Sequence, residues 1–135
     1  EEIFSIARQN QSIKIIPPTN QINLYYNACD AYVLSAGSDY VIETPLSLLE
    51  AASSGVPALA FDVNGCSEII KQDKTGYIID GNDFLEMKRR IRQLMADRNL
   101  LNKMAASARE LALDSFSYRK LGPQLVNLYT EMVEK

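Results

Sequence analysis

Apolar positions along this chain fall into two spacings. Four short runs have strand length: residues 13–16 (IKII), 31–35 (AYVLS), 57–61 (PALAF) and 77–79 (YII). The first is β-branched and is stopped by Pro17-Pro18. The other spacing is helical. Ile3, Phe4, Ile6 and Ala7 read as the tail of a helix, and residues 22–28 as a short helix with Asn20 as its cap. Residues 45–53 predict a further helix that ends at Gly55. After a turn at residues 62–65, residues 66–70 make one helical turn. The final third keeps a 3.6-residue stripe, first through Phe84, Met87, Ile91, Leu94 and Met95, then through Leu101, Met104, Ala105, Ala108, Leu111 and Ala112. Leu125, Leu128, Tyr129 and Met132 mark a terminal helix, and Gly122-Pro123 near its start implies a kink or a delayed beginning.

Strands that alternate with helices, and are apolar throughout, indicate a parallel sheet covered on both faces. The fold class is therefore α/β, a Rossmann-like parallel sheet with helices on both faces. In such sheets ligands bind beyond the carboxyl ends of the strands. Here that rule points to the loops after Ile16, Ser35, Phe61 and Val63.

Composition narrows the function. The 135 residues suit one domain, and 47% hydrophobic with 23% charged residues is ordinary for a globular chain. There is no signal-peptide pattern and no apolar run of the roughly 18–20 residues a membrane span needs. The chain opens at Glu1 without a Met, as a fragment or trimmed chain would. Net charge is −3; the densest basic stretch, Lys88, Arg89, Arg90 and Arg92, reads as a solvated helix face, so no nucleic-acid partner is expected. Cys29 and Cys66 sit beside apolar residues and read as two buried thiols in a reducing cytosol. Histidine is absent, which removes the usual general base, the Ser-His-Asp and Cys-His systems and most zinc sites. Neither cysteine has a partner at metal-ligand spacing, so no metal is expected, and any proton transfer must use carboxylates or groups on a part of the protein not present.

The stretch that carries chemistry is Glu43 to Ala52, ETPLSLLEAA. Thr44 suits an N-cap and Pro45 the first helical position, where its missing N–H costs nothing. The N–H groups of Leu46 and Ser47 would then point out of the positive helix end, an anion site suited to a diphosphate. Glu43 and Glu50 would bracket it, each a carboxylate able to accept neighbouring sugar or ribose hydroxyls. A Thr-Pro cap also opens many α/β helices that hold no ligand.

The longer stretch TPLSLLEAASSGVPALAFDVNGCSEIIKQDKTGYII resembles the signature of the family 4 retaining glycosyltransferases, which have a GT-B fold. Matching positions run from Pro45 to Ala51, then Gly55-Val56-Pro57, Gly65, Glu68-Ile69-Ile70 and Thr75-Gly76-Tyr77. Farther out, residues 28–35 (ACDAYVLS), residues 115–118 (SFSY) and Leu128-Tyr129 are similar to other ordered motifs of the family. The resemblance implies the C-terminal, donor-binding half of a GT-B enzyme that moves a hexose from a nucleotide-diphosphate sugar to a hydroxyl of a glycan or lipid acceptor, with retention. The nucleotide sugar is substrate, and no cofactor is implied. Glu50 would hold the ribose hydroxyls and the Leu46 and Ser47 N–H groups the diphosphate. Ile15 and Ile16 would line the base, and Asn64-Gly65 would form the turn facing the site.

The chain departs from that pattern at one important place. The family has seven residues between its two glutamates, whereas Glu43 and Glu50 are separated by six, and strict counting puts Ile42 at the first position. Either Glu43, rather than Asp39, supplies the catalytic carboxylate from a shortened loop, or that carboxylate is lost. By the same resemblance the first two strands of the domain, a phosphate-contacting basic pair and the acceptor domain lie upstream of Glu1. Their absence would leave a sheet edge open to self-association. The resemblance also leaves room for a cytoplasmic enzyme held at a membrane surface through that upstream domain, a non-catalytic sugar-nucleotide-binding or assembly module, and an epimerase of the same fold.

Overall fold

A computed structural model describes residues 2–36, 43–81 and 83–134. The element order is α1 (Glu2–Gln9), α2 (Ile22–Ala28), β1 (Tyr32–Leu34), α3 (Leu46–Ser53), β2 (Ala58–Phe61), α4 (Cys66–Ile69), β3 (Gly76–Ile79), α5 (Phe84–Ala96), α6 (Arg98–Phe116) and α7 (Tyr118–Val133). The strands form a parallel sheet in the order β1-β2-β3, with Tyr32 opposite Ala58 and Ala58 opposite Gly76. α3 lies on the β1–β2 crossover and α4 on the β2–β3 crossover.

β2 explains why its sequence is apolar without alternation. Successive side chains of a strand point to opposite faces, and all four β2 residues are buried, so both faces of the sheet are covered. Leu48 and Ala52 of α3, Met87 and Leu94 of α5, and Leu101, Met104, Ala108 and Ala112 of α6 belong to the same core as β2. Asp83 starts α5 by accepting from the Leu85 and Glu86 N–H groups, each at 3.0 Å. Asp97 starts α6 in the same way, accepting from Leu100 N–H at 2.9 Å. At the head of β3, Gly76 lies against β2 so closely that a Cβ there would stand 2.9 Å from the Ala58 carbonyl carbon. Close strand packing, not a turn, requires that glycine.

Several expectations change. Residues 13–16 form no strand: Ile13, Ile15 and Ile16 are 41–44% exposed, and β1 pairs only with β2 among the described residues. A lone extended segment without a ladder partner leaves its backbone groups to water and gains nothing from strand geometry. α2 is capped at Gln21 rather than Asn20, without a side-chain cap bond; Thr19 Oγ1 instead accepts from Gln21 N–H at 3.1 Å. Cys66 is buried, but Cys29 is exposed where the chain leaves α2. The basic stretch is not uniformly solvated. The Arg90 guanidinium lies 4.4 Å from the centre of the Tyr77 ring and bonds Glu86 at 2.7 Å. α7 is not delayed: it begins at Tyr118 and runs through Gly122-Pro123. Its stripe of Leu125, Leu128, Tyr129 and Met132 is exposed, and none of its residues is buried.

Candidate functional site

The site lies beyond the carboxyl end of β2, where two loops meet. After Phe61 the chain turns through Asp62–Gly65, and Gly65 adopts φ +75°, in the left-handed region that favours glycine. The second segment, Glu43-Thr44-Pro45, leads into α3. A Cβ built on Gly65 would stand 2.5 Å from Thr44 Cα and 2.7 Å from Thr44 Cβ, so only glycine lets the loops approach this closely. Four predicted site residues, Thr44, Leu46, Ser47 and Gly65, are thereby placed around the start of one helix.

The cap differs from expectation by one residue. Pro45, at ψ 110°, is the N-cap, and its carbonyl accepts the Leu48 N–H at 3.0 Å. Thr44 is therefore outside the helix, and its hydroxyl faces Gly65 instead of capping. This shift still leaves an open helix start at Leu46 and Ser47. Leu46 and Ser47 are now the first two helical residues, whose N–H groups have no acceptor within the helix. Together with the helix dipole they present positive potential to the surface.

Glu50, a turn farther along, is exposed, and its Oε2 accepts a hydrogen bond from the Tyr26 hydroxyl at 3.1 Å. Tyr26 comes from α2 and is 7% exposed, packed with Ala51 and Val56 and edge-on to Tyr32, whose ring centre is 5.7 Å away. Burial pushes the Tyr26 phenol well above its ordinary value, and the bond to the Glu50 carboxylate pushes it further. Between α2 and α3 lies a cavity of about 400 Å³ whose lining includes Ile22, Asn23, Tyr26, Leu46, Leu49 and Glu50. Leu46, 71% exposed, belongs to both the cavity wall and the helix start, so the two features are continuous. Sequence reasoning missed Tyr26. The only signal for it was an aromatic pair, Tyr25-Tyr26, in the short helix preceding β1.

Other predicted residues are placed less centrally. Glu43 is exposed and makes no hydrogen bond or ion pair among the described residues. Asp39 and Ile42 lie outside the described residues. Ile15 and Ile16 are half-exposed and do not line the cavity. Cys66, directly behind Gly65, is buried, and burial raises its thiol, which keeps it a protonated, unreactive core group. No described helix is long and apolar enough to cross a membrane.

The sequence model of the glycosyl transferases group 1 family matches residues 5–111. The chain belongs to this family. The glycosyltransferase group 1 chain is 37% identical over 92 residues to an exopolysaccharide phosphotransferase of Streptomyces coelicolor, covering 67% of this chain and 10% of that protein. It is 28% identical over 116 residues to a GDP-mannose-dependent α-(1-6)-phosphatidylinositol monomannoside mannosyltransferase of Mycolicibacterium smegmatis, covering 82% of this chain and 30% of that protein. The chain thus spans a third or less of the length of either relative. In three dimensions it superposes on Anabaena HepE, solved with UDP-glucose, with a TM-score of 0.84 over 96% of this chain and 36% of that one, at 16% identity. That likeness is one of fold. The shared fold is that of the GT-B glycosyltransferases.

Proposed function

We propose that this chain is the donor-binding portion of a retaining glycosyltransferase that moves a hexose from a nucleotide-diphosphate sugar to a hydroxyl of a glycan or lipid acceptor. The observation that carries the reading is the open start of α3, with the Leu46 and Ser47 N–H groups beside the Gly65 turn and continuous with the Glu50 cavity. In this reading the diphosphate sits on those N–H groups. As the glycosidic bond breaks, negative charge grows on the departing diphosphate, and fixed donors at a helix start stabilise it without reorganising. No metal is needed for that role. Glu50 accepts the ribose hydroxyls, and Glu43 reaches the transferred sugar. A GDP-mannose-dependent mannosyltransferase among the relatives and a structural neighbour solved with UDP-glucose support a nucleoside-diphosphate hexose as donor.

The acceptor would be held by a further domain, in keeping with the fraction of each relative's length that this chain spans. Glu43 is solvent-exposed without a described partner, which favours a second reading, a sugar-nucleotide-binding module without catalysis. Incubating the intact protein with UDP- and GDP-hexoses and simple glycan and lipid acceptors separates the two. The first reading expects a product that keeps the donor's anomeric configuration and turnover that falls at least tenfold in Glu43→Gln. Nucleotide binding without turnover selects the second, and turnover by residues 1–135 alone contradicts the divided site.

A further inference from the structure

We infer that Tyr26 is a positioning residue that fixes the Glu50 carboxylate for the ribose hydroxyls, an inference that rests on the donor-binding reading above. Glu50 projects from an exposed helix surface, where its side chain would otherwise sample several rotamers. The Tyr26 hydroxyl takes one of its oxygens, Oε2, at 3.1 Å, and leaves Oε1 without a partner among the described residues. The donor itself is rigid: the Tyr26 ring is 7% exposed, held by Ala51, Val56 and the edge of Tyr32.

The chemistry of the donor also suits the task. Among the described residues Glu50 has no Lys or Arg in an ion pair, so its only described side-chain partner is neutral. A neutral hydroxyl orients the carboxylate without cancelling its charge, and Glu50 stays a full-strength acceptor for two neighbouring hydroxyls. Both residues line the cavity between α2 and α3. α2 therefore takes part in donor binding although it lies outside the motif that contains Glu50.

The test compares UDP and GDP with their 2′,3′-dideoxy forms by calorimetry on the intact protein, using Tyr26→Phe, Glu50→Gln and the double variant. Phenylalanine keeps the buried ring and removes only the hydroxyl. Tyr26→Phe should weaken the ribonucleotide about three- to tenfold, the scale of one ordinary net hydrogen bond, and leave the dideoxy form unchanged. The double variant should bind no worse than Glu50→Gln, because both changes act on one interaction. An equal loss for both nucleotides would make Tyr26 a packing residue and overturn the inference. A Tyr26→Phe protein that matches wild type, while Glu50→Gln loses diol discrimination, overturns it too and leaves the donor site standing. Wild-type protein that does not distinguish the diol at all overturns the donor-site reading and the inference together.

Discussion

Replacing Gly65 by alanine perturbs the closest approach in the site. Two separate penalties apply. An L-residue at φ +75° costs about 1–2 kcal/mol relative to glycine. The new methyl would also stand 2.5 Å from Thr44 Cα, a backbone atom that cannot rotate away. Relieving that overlap means moving the Thr44-Pro45 segment, and overpacking of this kind costs about 1–3 kcal/mol more. The sum, roughly 2–5 kcal/mol, is a large share of the 5–15 kcal/mol that holds a typical domain together. Gly81→Ala is the matched control: Gly81 has φ +47° and nothing within 4 Å of the added Cβ, so it reports the backbone penalty alone. Urea unfolding of wild type and both variants, compared at equal m-value, measures the difference. Gly65→Ala should lose at least 1 kcal/mol more than Gly81→Ala and should weaken UDP or GDP binding, since the shift moves the Leu46 and Ser47 amides. Equal losses for the two alanines would refute the claim that the Gly65–Thr44 contact sets the helix start.

The remaining predictions concern the scaffold. Gly76→Ala should destabilise by about 1–3 kcal/mol in the same unfolding assay, because its methyl meets the Ala58 backbone of β2, and a neutral effect would contradict the strand packing. Leu48→Ala, at a site with no exposed surface beneath the helix start, should cost about 2–5 kcal/mol and lower the midpoint without changing the nucleotide contacts themselves. Glu86 gives a pH dependence of known sign. Bonds from Arg89 and then Arg90 pull its carboxyl from the ordinary 4.5 down to about 2, so its contribution is present above pH 4.5 and lost as pH falls toward 2. The stability gap between wild type and Glu86→Gln should therefore be constant above about pH 5 and close between 4.5 and 2; a gap that widens with acid contradicts the pairing.

What the sequence made legible was whatever depends on local pattern. β2 reads as buried because PALAF has no polar alternation, and α5 and α6 read as helices because Met87, Leu94, Leu101, Met104 and Ala108 recur at the helical period and are all buried. Residues 13–16 misled because β-branched composition favours a strand only where a neighbouring strand supplies the ladder, and a sequence does not display its neighbours. The start of α3 was displaced by one residue for a related reason. Proline suits both the first helical position and the residue before it, and the contact between Thr44 and Gly65, 21 residues apart in sequence, is invisible to local pattern. The Tyr26–Glu50 bond joins two helices through residues 24 apart in sequence and is carried by no motif. The α7 stripe has the right period for burial, yet among the described residues its Leu125, Tyr129 and Met132 stay exposed, since periodicity states which face is apolar and not what covers it.

A structure of the intact protein soaked with UDP-hexose or GDP-hexose tests the central claim most directly. The account predicts diphosphate oxygens within hydrogen-bonding distance of the Leu46 and Ser47 amides, beside Gly65, with the ribose hydroxyls on Glu50. A nucleotide bound elsewhere on the chain, or one whose diphosphate is held only by side chains away from α3, would contradict it.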